Sequence, residues 1–211
     1  MRLFHGSLVF LFIVLNASCG NDPKENKEDS RPPHDSVLSA QSEPPVGNFA
    51  AVDVSPMDMS YFPVDYPKLK MANNSIAPPV ARVIYSRPHL GNRRLFPDIL
   101  KHGEAWRLGA NEATELDLYK DVSILGGRVK AGRYNMYCVP QIGKWTIVLN
   151  SNLDTWGLKQ DSTLDLYRFN IPITTGLPVQ EFFTMEFEKT PKGCNLDISW
   201  DDVSGKLPLV F

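Results

Sequence analysis

From residue 81 to the C-terminus one pattern recurs: an apolar side chain at every second position over a short run, then glycine, proline, asparagine or aspartate. T-E-L-D-L-Y (114–119) is the plainest case, with Leu116 and Leu118 on one face and Glu115 and Asp117 on the other. Only a strand has that period, because its successive side chains point to opposite sides of the sheet. A chain written this way cannot form a helical bundle. It must pair its strands, and the turn residues between them favour antiparallel neighbours joined by short links.

The runs can be placed individually. A-R-V-I-Y-S-R (81–87) opens the clear strands, and D-V-S-I-L-G-G-R-V-K-A-G (121–132) brings two runs together around Gly126-Gly127 as a hairpin. R-Y-N-M-Y-C-V and W-T-I-V-L-N form a second hairpin joined by 140–144, and later strands are expected at 164–173, 181–188, 196–200 and 206–211. Helix is expected only in short pieces, at 94–102 and at 153–157. With 211 residues, 43% of them apolar and 10% aromatic, the chain can bury one core and little more. The predicted fold class is all-β, a single antiparallel β-sandwich of jelly-roll type with short helical turns, spanning 49–211.

The N-terminus has a different texture. Arg2 precedes an apolar run, Leu8 to Leu15, which is too short to span a bilayer and reads as an export signal. It ends in L-N-A-S-C-G, where Ala17 and Ser18 precede Cys19 as in a bacterial lipoprotein signal, so 1–19 is read as the signal ending at a lipidated cysteine. Residues 20–48 carry Pro23, Pro32, Pro33, Pro44 and Pro45 among charged and small polar residues and cannot bury enough apolar surface to offset ordering. They are expected to be a disordered tether, and Glu25, Glu28 and Asp29 within it resemble a surface-export signal. The expected location is the cell envelope, exported and membrane-anchored through palmitate-type acylation, on a periplasmic or cell-surface face.

The densest chemistry lies in W-R-L-G-A-N-E-A-T-E (106–115). As a structural clasp, Arg107 would pair bidentately with Glu112, Asn111 would tie the loop backbone, Gly109 would take positive φ, and Trp106 would seal the core. As a site, the same Arg107 would anchor an anion, Glu112 would accept a proton, and Trp106 or Tyr85 would stack on a ring. Arg87, just before Pro88, is a second guanidinium that could join either arrangement. The candidate ligand-binding set is therefore Tyr85, Arg87, Trp106, Arg107, Asn111 and Glu112. Ser86, flanked by Arg87 and Pro88, reads as a structural strand end.

Other chemistries have little support. His89 and His102 have no metal-ligand spacing, so no metal site is expected. No nucleophile elbow, phosphate loop or dinucleotide glycine fingerprint occurs, so no cofactor is expected. A formal charge of −2 provides no basic field for nucleic acid. Export would permit a disulfide between Cys138 and Cys194, although Cys138 within N-M-Y-C-V equally reads as a small buried hydrophobe. Trp145, Trp156 and Trp200 read as core or rim packing, with aromatic rims on β-sandwiches as the carbohydrate-binding alternative.

R-V-I-Y-S-R-P, W-R-L-G-A-N-E-A-T, A-G-R-Y-N-M-Y-C-V-P, K-W-T-I-V-L-N and W-G, in that order, resemble the bacterial family catalogued as domain of unknown function twenty-nine eleven. The resemblance covers roughly 57–200 and implies an exported, often lipid-anchored, β-rich domain of Gram-negative bacteria. It brings no established activity. Three functions stay open: a binding module for a small molecule, glycan or protein partner; a metal-independent hydrolase or isomerase using Arg87, Arg107 and Glu112; and a structural envelope component.

Overall fold

A computed structural model describes residues 54–211; the signal segment, Cys19 and the tether lie outside the described residues. Eleven strands form, and every pairing between them is antiparallel: β1 (Met57–Phe62), β2 (Ala81–Ser86), β3 (Thr114–Leu118), β4 (Val122–Ile124), β5 (Gly127–Val129), β6 (Gly132–Gln141), β7 (Lys144–Asn150), β8 (Asp165–Thr174), β9 (Gln180–Thr190), β10 (Gly193–Asp201) and β11 (Val203–Val210). The expected all-β class is what forms. Jelly-roll connectivity is not: nine strands make one continuous sheet in the order β1-β2-β3-β6-β7-β8-β11-β10-β9, with the β4–β5 hairpin branching from β11. Alternation fixes which face of a strand is buried but not which strand lies beside it, so a curled sheet and a two-sheet sandwich share one sequence pattern.

The sheet curls into a nearly closed barrel whose seam lies between the segment after β2 and the start of β9. Leu90 N–H donates to Glu181 O and Phe183 N–H to Pro88 O, each at 2.9 Å. Arg87 bridges the same seam: Nε donates to Phe183 O at 3.2 Å, Nη2 to Thr184 Oγ1 at 3.0 Å, and Nη1 pairs with Asp58 Oδ2 at 3.2 Å. At the narrowest join, β8 and β11 share only the pairs Ser204–Thr174 and Gly205–Ile173. A side chain on Gly205 would come within 3.0 Å of Ile171 and 3.2 Å of Trp145, so glycine lets the backbone approach here.

Period-two burial is clean in the last strands. Leu196, Ile198 and Trp200 of β10 point inward with Leu207 and Leu209 of β11, while Lys206 points out. β7 is buried on both faces, because residues 151–164 fold back over its outer side. Asn150 Nδ2 donates to Asp161 O at 2.9 Å, Ser151 N–H to Leu164 O at 3.0 Å, and Asn135 Nδ2 to Gln160 Oε1 at 3.3 Å. Tyr137 donates to Asp165, and burial, reinforced by that carboxylate, pushes its hydroxyl pKa up to about 12.

Local departures from the sequence reading are small. The first hairpin turns at Leu125 and Gly126, with φ of 48° and 84°, so Gly127 already belongs to β5. Inside the expected 94–102 helix, residues 95–99 form only a wide turn closed by Leu100 N–H donating to Leu95 O at 2.9 Å, with Phe96 extended at φ −122° and ψ 134°; buried Asp201 Oδ2 accepts from Leu95 N–H and Arg94 Nε at its start. The helix expected at 153–157 does not form. Asp154 and Gly157 bend the chain at φ of 55° and 75° instead. β1 and the short helix α1 (Tyr66–Ala72), which buries none of its residues, are additions to the expected elements. Cys138 and Cys194 are buried free thiols, so the disulfide does not form. β6 and β10, which carry them, are separated in the sheet by β7, β8 and β11.

Candidate functional site

One end of the barrel is plugged by aromatic rings. Trp106 lies 4.9 Å from Phe183, 5.8 Å from Trp200 in a near-parallel stack, and 6.1 Å from Trp145, centroid to centroid, while Tyr85 meets Phe183 edge-on at 5.6 Å. Such pairs add about 0.5–1.5 kcal/mol each beyond the area they bury. Trp106 reaches this position because its backbone exchanges two hydrogen bonds with Cys138 of β6, at 2.7 and 2.8 Å. Beyond it the chain must turn sharply to enter β3, and residues 107–113 make that turn.

The turn is held from inside by hydroxyls. Ser86, fully buried at the end of β2, accepts from Ala110 N–H at 2.7 Å and donates to Ala110 O at 2.6 Å. Thr114 Oγ1 donates to Leu108 O at 2.6 Å, and Trp106 Nε1 donates to Gly109 O at 3.3 Å. Leu108 and Asn111 take positive φ, 57° and 45°. Gly109 has φ 152°, and a Cβ there would sit 2.8 Å from Ser86 Oγ and 2.9 Å from Ser86 O. The segment is thus a clasp, but not the expected one: Arg107 and Glu112 do not pair. Arg107 Nη1 donates to Trp156 O at 3.0 Å, and its guanidinium lies 5.7 Å from the Trp156 ring, whereas Glu112 is exposed on a separate cleft with Glu115, Arg133 and Asp154. The conformation of the turn sends alternate side chains to different sides, and their spacing in sequence does not encode that.

Beside the aromatic plug opens a cleft of about 400 Å³. Trp106 and Trp200 form its floor, Arg93 and Arg107 two of its walls, and Leu158 its rim. The indole N–H groups are already satisfied, by Gly109 O and by Glu181 O, and the stacked rings are 7% and 2% exposed, so they border the cleft with a narrow apolar strip. Leu158 is 73% exposed and neighbouring Trp156 55%. They are carried there by the same 151–164 segment that covers β7. Gly157, at φ 75°, allows it to close against the clasp, since a Cβ would lie 2.9 Å from that of Ala113.

The cleft is unevenly charged. Lys101 is 3.8 Å from Glu104, but neither Arg93 nor Arg107 has a carboxylate partner among the described residues. Arg93 is oriented by the carbonyls of Leu90 and His89, at 2.8 and 3.2 Å. Half-burial pulls the pKa of Arg107 below the ordinary guanidinium value, with no anion to offset the desolvation.

Of the six sequence candidates, Trp106 and Arg107 line this cleft together. Tyr85 is in the core, its oxygen accepting from Met185 N–H at 3.0 Å, and burial pushes its pKa up to about 12. Arg87 serves the seam, Asn111 Nδ2 donates to Ser55 O at 3.0 Å, and Glu112 lines the other cleft. Arg87, Arg107 and Glu112 therefore have no common centre. Trp200, read from the sequence as core or rim packing, borders the cleft, whereas Arg93 and Leu158 are cleft residues that the sequence did not single out; only W-G at 156–157 signalled that the segment carrying Leu158 mattered. Among the described residues no group of three or more His, Cys, Asp and Glu could hold a metal ion, and no helix is long and apolar enough to cross a membrane.

No curated protein and no solved structure matches the chain. Residues 68–209, which hold the ordered motifs, the clasp and all of the barrel except β1 and the last residue of β11, match the model of the family described as Protein of unknown function (DUF2911), and this protein belongs to that family.

Proposed function

We propose that this protein is a cell-envelope lipoprotein whose barrel domain binds a small molecule in the cleft over Trp106 and Trp200. The carrying observation is the cleft itself: about 400 Å³, floored by two indoles and rimmed by an exposed leucine, on a rigid clasp. Ligand sites are typically concave, pre-formed and of this size, with a few polar groups set beside apolar ones. The anchor rests on Leu8 to Leu15 followed by Ala17-Ser18-Cys19.

A small-molecule library screened by ligand-observed NMR against the mature protein tests the binding reading. Hits are expected to disappear in a Leu158→Asp variant whose melting temperature is unchanged, since Leu158 packs little in the apo fold. Hits that persist in that variant, or no hits at all, would remove the cleft as the site. The anchor has its own test: Cys19→Ser should move the protein from the membrane fraction to the soluble one, and retained acylation would refute it.

A further inference from the structure

We infer that the ligand of this cleft is an organic anion, a flat ring bearing a carboxylate or a similar oxyanion, with Arg107 and Arg93 as its charge partners and the Trp106–Trp200 floor as its apolar seat. This rests on the binding reading above and specifies its chemistry.

The first support is the contrast between the cleft arginines and the others beyond it. Arg82, Arg87, Arg94, Arg128, Arg133 and Arg168 each meet a carboxylate. Arg93 and Arg107 do not, and both line the one cleft. Arg107, partly removed from water without an anion, loses hydration and regains little of it, and a bound carboxylate restores the loss through two parallel hydrogen bonds, with the exposed Arg93 adding its charge from another wall. Orientation is the second support. Backbone carbonyls fix both guanidinium groups, through Nη1 of Arg107 and through Nε and Nη2 of Arg93, so part of each donor fork is positioned before any ligand arrives. The third is the floor: Trp106 and Trp200, 7% and 2% exposed, border the cleft with a narrow strip of indole whose N–H groups are turned to backbone carbonyls, so the floor offers apolar contact and no hydrogen bond, which suits an apolar body and not a polyol.

Calorimetric titration of the mature protein with 2-naphthoate, and separately with 2-naphthamide, isolates the charge from the ring. Naphthoate is expected to bind one-to-one and at least about tenfold tighter than the amide, a difference of about 1.4 kcal/mol. Arg107→Gln should erase that preference while leaving the melting temperature within a degree or two, and Arg107→Lys should restore it in part, because a point charge replaces the fork. Equal binding of acid and amide, both lost in Leu158→Asp, would overturn the anion and leave the cleft standing. Failure of naphthoate to bind, or full retention of its preference in Arg107→Gln, would also overturn it. Should the library screen have produced neutral ligands lost in Leu158→Asp, the binding reading survives that failure.

Discussion

The seam of the barrel and the mouth beside it use the same residue types to different ends. At the seam, Arg87 is surrounded by acceptors: a carboxylate from β1, a hydroxyl and a carbonyl from β9. At the mouth, Arg107 lies at the far end of the same clasp, with one carbonyl, one ring face and no carboxylate. A polar group used for stability is satisfied within the fold, because leaving it unsatisfied costs more than the interaction returns. One left short of partners at a pre-formed cleft is the kind a ligand completes. The two arginines differ in how far the fold itself satisfies them: Arg87 completely, Arg107 through one carbonyl and one ring.

Five substitutions sharpen that difference. Trp106→Ala should have the largest effect, because the indole supports both regions: a cost of about 3–5 kcal/mol is expected in chemical denaturation. A loss under 1 kcal/mol would mean that the plug does not hold the clasp. Next, Arg87→Met should cost about 2 kcal/mol, since it strands Phe183 O and Asp58 at the seam. Half-exposure of the pair keeps the figure from rising further.

An alkaline titration gives a smaller and separable effect. Burial raises the Tyr85 hydroxyl from its ordinary value of 10 to about 12 in the fold, so the native state favours the neutral form. Its contribution is fully present below pH 10 and is lost as pH rises from 10 to about 12, where the unfolded chain ionises first. The parent should therefore lose about 1–2 kcal/mol more than Tyr85→Phe across that window. Parallel curves for the two proteins would place Tyr85 in water.

The smallest effects are expected at the mouth. Arg107→Met and Glu112→Gln should each change stability by no more than about 0.5 kcal/mol, because neither side chain has an internal ionic partner to strand. Matching losses in the two, with coupling in a double-mutant cycle, would restore the Arg107–Glu112 pair that the sequence suggested.

Alternation at Leu116/Leu118 and Leu196/Ile198 made the strands and their buried faces legible, since side-chain period is a local property of the backbone. Turn residues made both hairpins legible, although the turns lie at Leu125-Gly126, one residue before the Gly126-Gly127 read from the sequence, and at Ile142-Gly143 within the 140–144 link. From the residue-rich stretch 106–115, Trp106, Arg107, Gly109 and Ala110 line the cleft, and the family resemblance marked the fold class. By itself, then, the sequence determined all-β structure and most strands. Closure into a barrel, the free thiols of Cys138 and Cys194, and the partners of Ser86, Arg87 and Arg107 were decided only in three dimensions. Those contacts join residues 24 to 97 positions apart, and no local period or turn rule encodes which strands become neighbours. The separation of Arg107 from Glu112 has a different cause. They are five positions apart, but positive-φ backbone at Leu108 and Asn111, fixed by a serine on another strand, sends them to different clefts.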